Sequence, residues 1–194
     1  MNPQSKIIQL VGDLAIPLIG YYFWGWNMLF ILFFYILDVG ISTVFTFVKT
    51  KSINRYQHSN YYPWKHILLI IIGYVLTFYL VYFLIQNISP KLDLSSEIIR
   101  FLMMKDLGLP QCVLLLPLLI IGGYTQYKVS FLIPKAFETT KIDSLWHEHI
   151  KLFLLIVGVI TLLLGVSIWI VFPEWLYIWG MVLGSSIYRY YIRG

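Results

Sequence analysis

Six stretches of this chain, at residues 7–23, 26–48, 66–86, 109–127, 150–172 and 175–192, are largely apolar over lengths close to the thickness of a bilayer's hydrocarbon core. In lipid there is no water to satisfy main-chain N–H and C=O groups, so a spanning segment must bond them internally, as an α-helix or a closed β-barrel does. A helix needs about 20 apolar residues to cross, whereas a barrel strand needs roughly 10 alternating ones. The spacing therefore predicts an all-α polytopic membrane bundle of six transmembrane helices, built as a single integral membrane domain over residues 1–194. With 59% of residues hydrophobic and 12% charged, little chain is left for a separate soluble domain, and no Gly/Ser-rich linker marks one. The first stretch is the shortest and contains Asp13, Pro17 and Gly20, so it fits either a full crossing or a re-entrant segment. The bulky "GYYFWGW" after it offers no small-residue cleavage site, and the segment reads as retained rather than as a removed signal.

The basic residues orient the bundle. Six spans put both termini on one side, together with Lys6, Lys49, Lys51, Arg55, Lys65, Lys128, Lys135, Lys141, Lys151, Arg189 and Arg193, while only Lys91, Arg100 and Lys105 fall opposite. An excess of Lys and Arg marks cytoplasmic loops, so both termini are expected in the cytoplasm. The net charge of +5 is then explained by basic loops facing anionic lipid. The lipid bilayer is the expected partner, with a second copy or another membrane subunit left open, and no nucleic-acid-binding pattern is present. Trp24, Trp26, Trp64, Trp146 and Trp175 fall at span ends, as headgroup anchors do. Cys112 is the sole cysteine and permits no internal disulfide. Between spans 3 and 4, "SPKLDLSSEIIRFLMMKDLGLP" predicts a short extracytoplasmic interfacial helix, capped at Ser95 or Ser96 and stopped by Gly108 and Pro110.

Chemistry enters at "FFYILDVGIST", where Asp38 lies eleven residues from Lys49 and hence about 16 Å deep, near the bilayer midplane. A carboxylate there costs about 2.5 kcal/mol or more on insertion scales. Such a group faces the protein interior and either neutralises, pairs or lines a wet cavity. Tyr35, Asp38, Ser42 and Thr46 follow at steps of three, four and four, which places them on one helix face as a polar stripe. One reading is a proton or cation path through Asp38, Asp13, Tyr35, Ser42 and Thr46. The other is a protonated aspartic acid hydrogen-bonded to a neighbouring helix as packing. Asp13 and Arg189 sit at similar shallow depths and form a candidate ion pair.

Two further patterns stand in the sequence. "AIPLIGYY" in span 1 echoes "LLPLLIIGGY" in span 4, with weaker echoes between spans 2 and 5 and spans 3 and 6, as an inverted repeat would produce. Apolar sequence yields such matches by chance, and neither Asp13 nor Asp38 has an acidic counterpart in the second half. His58, His66, His147 and His149 all fall on the expected cytoplasmic side, where a metal-dependent enzyme would find ligands. His147 and His149 are two apart and diverge on a helix, unlike the four-residue step of a HExxH motif. No nucleophile, nucleotide-binding or cofactor motif stands out, so no catalytic residue and no cofactor is assigned.

The segment at about residues 15–49 resembles an uncharacterised, domain-of-unknown-function family of prokaryotic multi-pass membrane proteins. In that family an apolar segment ending in Gly-Trp leads to a Tyr-Trp-x-Glu motif, a Gly and a basic residue. Gly25-Trp26, Tyr35, Asp38, Gly40 and Lys49 match, whereas Ile36 replaces the aromatic and Asp replaces Glu. The resemblance implies a multi-pass protein of the bacterial cytoplasmic membrane with an acid at this place, and no activity to carry over. Three functions remain in view: a small ion- or solute-handling protein built on Asp38, a non-catalytic membrane scaffold or complex subunit, and a membrane-embedded metal-dependent enzyme.

Overall fold

The computed structural model describes residues 14–59, 61–88, 93–102, 111–170 and 172–192. Among these there is no strand. The helices are α1 (Leu14–Phe23), α2 (Met28–Gln57), α3 (Trp64–Ile88), α4 (Leu94–Leu102), α5 (Gln111–Tyr127), α6 (Ile142–Trp169) and α7 (Glu174–Ile192). A π-helical turn at Lys128–Leu132 continues α5, and a 3₁₀ turn at Ala136–Glu138 precedes α6. Three of the helices, α2, α3 and α6, are long and apolar enough to cross a membrane. On α3, Leu68, Ile71, Ile72, Val75, Tyr79 and Phe83 are exposed. So much uncovered apolar surface on one long helix suits contact with lipid better than with water.

Element boundaries differ from the hydropathy windows for local reasons. Helix α2 runs on from Val48 to Gln57, where Lys49, Lys51, Arg55 and Gln57 are good helix formers, and Thr46, Thr50 and Ser52 turn their hydroxyls back onto the carbonyl four residues earlier. It stops at His58, whose φ of 50° is left-handed, while Ser59 N–H reaches back to the Asn54 carbonyl at 3.1 Å. That is the Schellman ending usually made with Gly. Helix α6 begins at Ile142 rather than near 150, because Asp143 in its first turn suits the positive end of the helix dipole and Trp146 is drawn into the core. Helix α4 begins at Leu94, so Ser95 and Ser96 lie within its first turn and Asp93 precedes it.

The chain packs as two compact units. The first comprises Met1–Tyr35, Gly73–Leu94 and Leu154–Gly194, and the second Ile36–Ile72 and Ser95–Phe153. In the first, α1 ends where the N–H groups of Trp24 and Trp26 both donate to the Gly20 carbonyl, at 3.1 and 2.9 Å, and Gly25 takes a φ of +63°. The Trp26 indole lies against Gly20 and is 1% exposed. Asn27 then caps α2 through the Phe30 N–H (3.0 Å), and the Glu174 carboxylate accepts from the Met28 N–H (2.6 Å). A carboxylate at a helix N-terminus is favoured by both the free N–H groups and the dipole. In the second unit the core gathers Ile53, Tyr127, Phe131, Trp146 and Leu152.

The ending at His58 carries a prediction. A non-glycine residue in the left-handed region is disfavoured by roughly 1–2 kcal/mol, so His58→Gly is expected to raise the thermal unfolding midpoint. A fall in that midpoint would show that the imidazole itself makes a contact that holds the fold.

Candidate functional site

Asp38 sits within the apolar stretch of α2 and is half-buried, in the second unit with Ser42 and Thr46. Tyr35 belongs to the first unit, where it is 3% exposed and its hydroxyl oxygen lies 2.9 Å from Ser185 Oγ on α7. Beside this pair a small pocket is walled by Leu32, Ile156, Ile160 and Met181. Its volume of ≈ 10 Å³ is about what one water needs. Asp13 lies outside the described residues, and Arg189 is on α7 with its side chain outside them, so the expected ion pair lies beyond what the structure describes.

The polar residues of α2 in the second unit are tied up in a different way from the expected stripe. Thr46 is buried and donates to the Ser42 carbonyl (2.9 Å), and Thr50 donates to the Thr46 carbonyl (2.9 Å) while accepting from Trp146 Nε1 (3.0 Å). Thr43 donates to the Val39 carbonyl (2.8 Å), which uses its only proton, so the 2.8 Å contact with His149 has Nε2–H of the imidazole donating. His149 and Trp146 are thus partners of a threonine ladder at 43, 46 and 50. The ladder escaped the sequence reading, yet its signal was there: steps of three and four on α2 face a Trp and a His three apart on α6.

Trp146 is the centre of this region. Fully buried, it meets Phe47 edge-on at 4.8 Å between ring centroids, stacks on His66 at 5.9 Å and touches His149 at 6.2 Å. His66 and His147 meet at 5.9 Å with their rings inclined by 70°. His147 Nδ1 lies 3.1 Å from the Asp143 carbonyl. In the loop between α2 and α3, the Tyr61 hydroxyl donates to the Asp143 carboxylate at 2.7 Å, and this bond raises the pKa of the phenol. The four histidines are therefore divided: His149 faces Thr43, His66 and His147 face each other, and His58 closes α2. Among the described residues no three His, Cys, Asp or Glu side chains gather as a metal site.

Among the described residues the fold is all-helical, with three helices of membrane-spanning length and composition. Comparison with known protein families, with curated proteins and with solved structures finds no match to the chain.

Proposed function

We propose that this chain is a six-span protein of the bacterial cytoplasmic membrane, with both termini in the cytoplasm, that handles protons or a small ion through Asp38. The observation that carries the reading is a half-buried carboxylate inside the apolar stretch of a membrane-length helix. Acids at that depth are rare because they are costly, and those that persist serve ion pathways or internal pairs. Asp38 takes up and releases a proton, with the hydroxyls of Ser42 and Thr46 on the same face of α2 completing the path. In this arrangement α5 with its π-helical turn and α7 are the shorter spans, α1 ends the first, and α4 lies at the outer interface.

A second reading has one observation in its favour. Thr43, Thr46 and Thr50 are satisfied by their own helix and by α6, as polar groups that hold helices together are. Under that reading the protein is a scaffold or complex subunit, and Asp38 is a buried structural acid.

The two are separated by water access. With Cys112→Ala as background, Asp38→Cys is expected to react with a small membrane-impermeant thiol reagent in folded protein in membranes, and Asp38→Asn to abolish a pH-driven flux in vesicles. Protection of the cysteine, alongside normal labelling of a control cysteine in the loop at Ser59, rejects the path and leaves the scaffold.

A further inference from the structure

We infer that His66 and His147 form a two-imidazole seat for a divalent transition-metal ion, a site that does not depend on the role proposed for Asp38. Both histidines lie in the second unit, His66 on the first turn of α3 and His147 near the start of α6. Two independent features of the pair point to a ligand.

The first is an unsatisfied atom. His66 Nδ1 is buried and has no hydrogen-bond partner among the described residues. Buried polar atoms are paired in the great majority of cases, and an exception calls for a specific cause such as a bound ion. The ring has little freedom to seek another partner, because the indole of Trp146 stacks on it at 25° and 5.9 Å.

The second is tautomer and distance. A carbonyl oxygen only accepts, so the 3.1 Å contact between His147 Nδ1 and the Asp143 carbonyl places the ring proton on Nδ1. That leaves Nε2 with its lone pair available. Metal-binding histidines are usually fixed in this manner, one nitrogen donating to a carbonyl or carboxylate while the other ligates. With metal–nitrogen bonds of about 2.0–2.1 Å, two imidazoles around one ion have centroids roughly 5.2–6.4 Å apart for angles from tetrahedral to linear. The observed 5.9 Å falls in that interval.

The pair also sets the character of the site. The Asp143 carboxylate is engaged by Tyr61 at 2.7 Å, and no third His, Cys, Asp or Glu joins the pair among the described residues. The protein thus supplies two nitrogens and water fills the other positions, which makes an exchangeable site rather than a structural one. Imidazole nitrogen suits Cu²⁺, Ni²⁺ and Zn²⁺, and the general order of stability puts Cu²⁺ tightest. His149, committed to Thr43, and His58, at the end of α2, stand outside it.

The test uses the full-length chain in nanodiscs, with any affinity-tag histidines removed, titrated with Cu²⁺ and followed by calorimetry and by electron paramagnetic resonance. One Cu²⁺ per chain is expected, with hyperfine structure from two imidazole nitrogens. His66→Gln and His147→Gln should each weaken binding by about ten-fold or more and leave one nitrogen, while His149→Gln changes neither. Should a variant unfold, the unaltered chain still decides: Zn²⁺ must protect His66 and His147, but not His58, from diethyl pyrocarbonate. Non-saturable binding, a single coordinated nitrogen, affinity indifferent to both substitutions, or equal reactivity of His58 and the pair with and without Zn²⁺ each overturns the site and leaves an adventitious ion only.

Discussion

Replacing Trp146 by Ala is expected to destabilise the protein by roughly 3–5 kcal/mol, the range for removing a large buried aromatic. The residue is 0% exposed, and its ring is shared by Phe47, His66 and His149. Removing it leaves a void among three rings at once, which a close-packed interior refills only in part. The Thr50 hydroxyl loses the indole donor but keeps its own bond to the Thr46 carbonyl, so the hydrogen-bond loss is the smaller part, about 0.5–1.5 kcal/mol. Trp146→Phe separates the two contributions, since it keeps most of the ring contact and deletes the indole N–H. Denaturant titration followed by circular dichroism measures both variants. A loss below about 1 kcal/mol for the alanine variant is incompatible with a packed aromatic centre at this position.

The second large effect concerns two adjacent glycines of α5. A Cβ on Gly123 would run into the ring of Phe45 and come within 3.3 Å of Ile41 Cγ2, whereas a Cβ on Gly122 meets nothing within 4 Å. Gly123 is thus where α5 lies closely against α2, and overfilling such a contact costs about 1–3 kcal/mol. Gly123→Leu is expected to lower the unfolding midpoint markedly. Gly122→Leu should be neutral or slightly stabilising, because a mid-helix glycine is about 0.5–1 kcal/mol worse than alanine. Equal behaviour of the two variants would mean that α5 does not approach α2 at Gly123. The ring of Phe45 occupies the space that the missing side chain of Gly123 leaves, and so gains dispersion contact with α5.

Several parts of this protein were legible before any coordinates. Long apolar runs at 26–48, 66–86 and 150–172 became α2, α3 and α6, because a backbone surrounded by apolar side chains has only its own carbonyls to bond. A helix in the segment between α3 and α5 was also readable, from the serines at 95 and 96 and the stop at Gly108 and Pro110, although it begins at Leu94, ahead of both serines. Helix ends were less legible. The extension of α2 to Gln57 and the early start of α6 at Ile142 occur in polar sequence, where hydropathy is silent and capping, dipole and side-chain bonds decide.

Of the candidate site, the position of Asp38 was legible and the hydrogen-bond partners on α2 and α6 were not. Asp38 stood out because a carboxylate inside an apolar run is improbable without a use. Thr43 and Thr50 did not stand out, since threonine is unremarkable in a membrane helix until His149 and Trp146 are seen beside it. The divergence of His147 and His149 followed from helical periodicity alone. That His66 would be the residue to meet His147 depended on how α3 and α6 enter the second unit.

By itself, then, the sequence determined the backbone: among the described residues, helices, three of them of membrane-spanning length, with an acid placed within one of them. These follow from local quantities, the transfer free energy of each side chain and the closure of main-chain hydrogen bonds within a segment. The tertiary structure alone decided that Tyr35 pairs with Ser185, that Gly123 rather than Gly122 is the point of close approach, and that Trp146 joins the threonine ladder to the histidines. Those choices depend on the rotation of each helix about its axis, and a helix of apolar residues on every side carries too weak a pattern to encode that rotation until a neighbour packs against it.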